Sequence, residues 1–332
     1  MKIIVIFNRF LWLVALISFF VFATQVDYRF LVDPVYYVEA SQLSINFFEA
    51  IKQGERWSTD IFFIIYSFLL GVISNDFNTI AILFVTSLIM LLFSALYKYT
   101  KSVIFILLLF SVTVSFSTFG LFFNVWRQGF AVLLITLTAV YFNRLSIYFL
   151  FFAVGFHLNS AIFFLPAYFF KKIKDNINIF LPLTILILVP LVLFLVVNVN
   201  LFINSFLVYA NVEAKIALLR NMFGNVLLLC FLLNVKFFVK KSMRLRDSLI
   251  FKFTLSCLVF STIFLIIAPS ASERLMYYFF MIYPFLLCEF YRNFNIYGRS
   301  VVILIFLIFI SVSMYFLFRS QTWNNLVLFS VF

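Results

Sequence analysis

Apolar runs of membrane-spanning length recur along almost the whole chain, near residues 10–24, 79–97, 102–122, 128–143, 178–198, 222–239, 249–269, 275–291 and 300–318. Short polar stretches separate them, and few charges fall inside. At a rise of 1.5 Å per residue, about 20 apolar residues cover a ~30 Å hydrocarbon core, so each run reads as a transmembrane helix. Two further runs fit this badly. Residues 61–74 offer about 14 apolar positions, roughly 21 Å of helix. Residues 145–170 are long enough but are interrupted by Gly155, His157, Asn159 and Pro166. The pattern predicts an all-α polytopic membrane protein of about 10–11 transmembrane helices, with one or two short or broken (re-entrant) segments. Residues 1–332 then form a single membrane domain.

Composition supports the same reading. The chain is 66% hydrophobic and 11% charged, where a soluble domain is roughly half apolar and a quarter charged. A water-soluble particle of this length has no interior large enough for 53 Phe alongside its Leu and Ile, so lipid must be the solvent. The first run follows Lys2 and Arg9 like a signal peptide, but no small-x-small cleavage site follows it, and it is expected to stay as a span. Cys230, Cys257 and Cys288 each sit in a separate apolar run and read as small hydrophobes. One histidine and scattered cysteines do not supply the three or four clustered ligands of a zinc site, so no metal and no cofactor is expected.

A net charge of +12 suggests nucleic acid until its placement is considered. The basic residues cluster between apolar runs, at Lys171, Lys172 and Lys174 and again from Lys236 to Arg246. That is the signature of cytoplasmic loops, and nucleic acid is not an expected partner. It makes 236–248 a cytoplasmic loop, and 25–60, 199–221 and 268–274 outer segments. The N-terminal half admits two counts. If every run is a full span, Arg127 faces inside and Lys98 and Lys101 outside. If 61–74 and 145–170 are re-entrant or broken, Lys98, Lys101 and Arg144 become cytoplasmic and Arg127 faces out. The second count obeys the charge rule better. Six of the twelve acidic residues, Asp27, Asp33, Glu39, Glu49, Glu55 and Asp60, lie in the 25–60 loop.

From Phe77 to Lys174 the chain contains no Asp or Glu, yet Arg127 and the only histidine, His157, both fall there. An arginine in a membrane segment needs an anion, from a distant acid, a lipid headgroup or a substrate, and its fork of donors suits phosphate. Ionisable residues in a bilayer are costly and mark function by default. The plainer alternatives are an arginine snorkelling to lipid phosphate and a neutral histidine bonded within the bundle.

The Arg127-Gln128 pair opening one helix is followed about thirty residues later by Phe156-His157-Leu158-Asn159-Ser160-Ala161 in an apolar segment ending at Pro166. This resembles the EpsG-type family of polysaccharide polymerases, which includes many Wzy polymerases of O-antigen and capsule repeat units. Asp33 with Tyr37, and Glu273-Arg274 with Tyr277-Tyr278 opening a late helix, add to the likeness. The chain departs from it at Glu55-Arg56-Trp57, where the family often carries Glu-Pro.

The resemblance implies a bacterial inner-membrane glycosyltransferase that is metal-independent. Its substrate would be an undecaprenyl-pyrophosphate-linked oligosaccharide at the outer face, with membrane lipid and a chain-length regulator protein as further partners. The growing glycan would pass from its lipid pyrophosphate to a hydroxyl of the next lipid-linked unit. The departing pyrophosphate needs donors or positive charge, assigned to Arg127 and then Arg274. The attacking hydroxyl needs a base, for which His157, Asp33 and Asp60 stand open. Gln128, Ser160, Glu273 and Tyr277 complete the expected substrate-binding set, and outer-loop Tyr and Trp are candidates to stack on sugars. The rival functions are a flippase or transporter of the lipid-linked unit, an acyltransferase, and a related lipid-linked glycan ligase. No internal repeat supports a transporter.

Overall fold

The computed structural model describes residues 2–31, 34–35, 37–38, 60–123, 125–141, 146–163, 220, 223–224, 226–227, 249–267 and 269–318. The apolar run 178–198, most of the expected outer loops 25–60 and 199–221, most of 222–239, the loop 236–248, Asp33, Arg144 and Cys230 lie outside them. Among the described residues the protein is helical without strands. Its helices are α1 (Lys2–Gln25), α2 (Ile61–Ile73), α3 (Phe77–Tyr97), α4 (Phe105–Thr113), α5 (Phe116–Phe123), α6 (Trp126–Tyr141), α7 (Ser146–Phe156), α8 (Leu249–Ile267), α9 (Pro269–Tyr291) and α10 (Ile296–Phe318). The all-α polytopic membrane architecture is that expected. Three elements, α1, α3 with its following turn, and α10, are each long and apolar enough to cross a bilayer alone.

The two defective runs take the forms their sequences suggest. The first is the 13-residue α2. The second stops as a helix at Phe156 and resumes as a 3₁₀ turn over Leu158–Phe163, so the break falls at His157. Two expectations need correction. Run 102–122 is no simple span, because it divides into α4 and α5, bent by 51°. Hydroxyls take over the backbone groups freed there: Ser115 Oγ accepts from the Ser117 N–H at 3.2 Å, and Thr118 Oγ1 donates to the Val112 carbonyl. Nor is 268–274 a loop. Helix α9 already begins at Pro269, a residue suited to a first helical position because its missing N–H would have no helical partner there. The tight α8–α9 turn is tied by Ser261 and Ser272, whose hydroxyls lie 2.8 Å apart.

Long-range hydrogen bonds fix which ends lie together. Asn8 Nδ2 donates to the carbonyls of Thr100 and Ser102, both at 2.9 Å. Lys98 donates to the Val140 carbonyl, and Tyr99 Oη donates to Glu289 Oε1 at 2.7 Å. Arg299 Nε returns to the Tyr291 carbonyl at 3.1 Å. One end of the bundle therefore gathers Arg9, Lys98, Lys101, Arg292 and Arg299. Arg127, at the start of α6, lies at the other, since α6 runs from there to Val140. Lys98 and Lys101 thus share an end with Arg9, as in the second of the two counts, while Arg144 lies outside the described residues.

Burial grades the helices. Helix α1 buries only Asn8 and Ala23 and turns the rest of its surface partly or wholly outward, as a lipid-facing helix does. Helix α6 buries nearly every residue from Trp126 to Val140 and forms the centre. Cys257 and Cys288 are buried, as small hydrophobes would be.

Asn8 is the polar anchor of an otherwise apolar helix. Asn8→Ala strands two carbonyls that its amide now serves and is expected to cost about 1–3 kcal/mol. A lowered unfolding midpoint of the detergent-solubilised protein would register it, and an unchanged midpoint would mean that water already serves those carbonyls.

Candidate functional site

Two aspartates precede helices on either side of α2, and they behave differently. Asp76 caps α3 in the ordinary way, its carboxylate accepting from the Thr79 N–H at 2.8 Å. These hydrogen bonds from Thr79, hydroxyl and backbone alike, hold the Asp76 carboxyl below its usual range. Asp60 occupies the corresponding position before α2 but makes no side-chain cap bond. Its side chain, 2% exposed, instead pairs with Arg127 through Oδ2.

Arg127 lies in the first turn of α6. The helix dipole disfavours a cation at that end, and burial raises the cost further, since its side chain is only 14% exposed. Asp60 offsets both. An aromatic wall fixes the backbone beneath the arginine. Trp126 is fully buried, stacks on Phe84 with ring centres 4.7 Å apart, and donates Nε1–H to the Phe122 carbonyl at 2.6 Å. Tyr37 packs on Trp126 and Phe63 and lies 5.9 Å beneath the guanidinium. Tyr28 and Tyr37 are thus buried structural rings rather than platforms open to sugar.

His157 reaches the same carboxylate oxygen. Helix α7 delivers it: the His157 N–H closes the last turn on the Ala153 carbonyl, and the His157 carbonyl starts the 3₁₀ turn by accepting from Ser160. Phe156 stacks on Phe130 of α6 with ring centres 4.8 Å apart, which sets the two helices in register. His157 Nδ1 then stands 3.5 Å from Asp60 Oδ2. Both ring nitrogens are buried and make no hydrogen bond.

The remaining candidates fall around this centre in two groups. Gln128 and Ser160 are fully buried and engaged internally, Gln128 Nε2 with the Arg274 carbonyl and the Ser160 hydroxyl with Tyr278 Oη at 2.7 Å. Gln128 thereby ties the first turn of α6 to α9. Glu273 pairs with Arg220, whose guanidinium carbon lies 5.8 Å from the Tyr277 ring centre. Tyr277 in turn rests against Gly120, where an added Cβ would approach its ring to 2.9 Å. The charge of Arg274 lies near enough to act on both His157 and Tyr278. Asp33 lies outside the described residues. Among those described, no cluster of three metal-ligating side chains occurs.

Among the described residues, the arrangement offers three arginines, Arg127, Arg220 and Arg274, against two carboxylates, Asp60 and Glu273. It can hold an anion and accept a proton beside it. Arg220 had not been singled out in the sequence, although it opens an apolar stretch much as Arg127 does. Asp60 stood as one candidate base beside His157 and Asp33, with nothing in the sequence to pair it with Arg127.

The buried Asp60–Arg127 pair has a thermodynamic signature. Asp60→Ala or Arg127→Ala alone strands a charge and should cost about 3–5 kcal/mol. The double substitution should cost well below their sum, and strict additivity in unfolding measurements would mean the two side chains do not interact.

No curated protein and no solved structure matches the chain. The model describing the EpsG family matches it over residues 4–330, nearly its full length, and the chain therefore belongs to the EpsG family.

Proposed function

We propose that this protein is a membrane glycosyltransferase that joins lipid-linked oligosaccharide repeat units into a surface polysaccharide. The observation that carries the reading is the meeting of Arg127 and His157 on one buried carboxylate oxygen of Asp60, in a chain of the EpsG family. The substrates are glycans on undecaprenyl pyrophosphate, the setting is the outer face of a bacterial inner membrane, and the polymer is O-antigen or capsule. A chain-length regulator is the expected protein partner.

The chemistry follows from what each group offers. The hydroxyl oxygen of the acceptor unit attacks the anomeric carbon of the donor glycan. The bond from that carbon to the pyrophosphate oxygen breaks, and its electron pair leaves with the pyrophosphate. Arg127 meets the charge that develops there with two-point donation, and Arg274 adds to the field. His157 Nε2 takes the proton from the attacking hydroxyl. It suits that role better than Asp60, whose carboxylate is committed to Arg127. An arginine can meet leaving-group charge without a divalent ion, so the reaction is written without metal.

Sidedness follows from the ends of the bundle. The end bearing Arg9, Lys98, Lys101, Arg292 and Arg299 is placed in the cytoplasm by the positive-inside rule, and the Arg127 end outside. With Lys101→Cys and Asn75→Cys introduced singly, a membrane-impermeant thiol reagent added to intact cells should label residue 75 and spare residue 101. The reverse pattern would put the site in the cytoplasm and end the reading of an outer-face reaction.

Deletion of the gene should leave cells that display single repeat units without long chains, because assembly and flipping of each unit are untouched. Loss of a flippase would remove surface units altogether, and loss of an acyltransferase would alter decoration at constant chain length. Arg127→Lys should slow polymerisation by about 100-fold or more, since a point charge cannot replace a planar fork. His157→Ala should slow it by a comparable ~100-fold or more. The surface glycan ladder on a gel reads all three, with membrane protein levels matched. A full ladder in the deletion strain would sink the polymerase, and a full ladder for Arg127→Lys would sink this site alone.

A further inference from the structure

We propose that Asp60 is a latch: its shared oxygen passes from Arg127 to His157 when a lipid pyrophosphate arrives, so that the leaving group itself prepares the base. The inference rests on the reading of the site given above and assigns Asp60 a positioning role within it.

Both partners address a single atom. Arg127 is hydrogen-bonded to Asp60 Oδ2, whereas His157 Nδ1 stands 3.5 Å from that oxygen without a hydrogen bond. The His157 side chain is 9% exposed, and neither nitrogen has a hydrogen-bond partner. A neutral imidazole always carries one N–H, and leaving it unmet in a buried position is costly. The acceptor nearest to hand is already taken by a stronger donor.

A pyrophosphate changes that balance. It carries more charge than a carboxylate and presents paired oxygens that fit the guanidinium fork. As Arg127 turns to it, Oδ2 loses a charged donor while the Asp60 side chain stays 2% exposed, and a buried carboxylate that loses its cation favours a replacement donor. His157 Nδ1 needs to close only a few tenths of an ångström to supply the replacement. Donation from Nδ1 fixes the tautomer in which Nε2 is an acceptor, the form needed to take a proton from a sugar hydroxyl. The proton-accepting atom is therefore set after the leaving group is gripped. No electrons move and no covalent bond changes in this step; the imidazole proton resides on Nδ1, and the ion pair is exchanged.

His157 is the chain's single histidine, so ¹⁵N-histidine labelling of the full-length protein yields one imidazole to observe. The protein is placed in nanodiscs of phosphatidylethanolamine and phosphatidylglycerol, and undecaprenyl pyrophosphate is titrated in. The ring ¹⁵N shifts of the wild type should move to the Nδ1–H tautomer as the lipid saturates. Asp60→Asn should bind the same lipid at least as tightly, because Arg127 no longer has a competing anion. It should show no such tautomer change and should polymerise about 100-fold more slowly. A purely structural role for Asp60 would instead weaken lipid binding. Saturable binding with an unchanged tautomer in the wild type would overturn the latch and leave the polymerase reading standing, as would an identical tautomer change in Asp60→Asn. Failure of the lipid to bind either protein would remove both.

Discussion

A charge buried in a lipid-solvated bundle must be met by another charge, and in this protein the centre is organised by how Asp60 meets that demand. The carboxylate gives up the cap of its own helix to reach Arg127. It thereby ties the short α2 to the first turn of the most buried helix. His157 is brought to the same oxygen by a helix that stops halfway. Each of the three would be a liability alone. Together they form a polar centre with an apolar support, in which Trp126, Phe84, Phe63 and Tyr37 pack on one another beside the arginine.

The support and the chemistry are separable. Hydrogen bonds far from the site, from Asn8 to the 100–102 turn and from Tyr99 to Glu289, hold the opposite end of the bundle. At the site end, Gln128 and Ser160 spend their polar groups on joining helices, the former to the α9 backbone and the latter to Tyr278. Their placement explains why α9 can present Arg274 close to His157. A side chain near a reacting centre need not touch substrate to matter there.

Much of this was legible in the sequence, for reasons that differ residue by residue. The helices announced themselves through apolar run length, and the defects at 61–74 and at His157 through runs too short or interrupted to span. Arg127 and His157 stood out because polar atoms are rare in such surroundings. The bend near Ser115 did not, since an unbroken apolar run of 102–122 masks a break that hydroxyls repair; the density of Ser111, Thr113, Ser115, Ser117 and Thr118 was its trace. The pairing of Asp60 with Arg127 was also hidden. Periodicity reports neighbours one or two turns away, and these residues are 67 positions apart.

That separation shapes how the chain can change over generations. A substitution at Asp60 leaves a stranded cation, and one at Arg127 leaves a stranded anion. Either intermediate carries an uncompensated buried charge. The pairing therefore binds two distant codons into one inherited character.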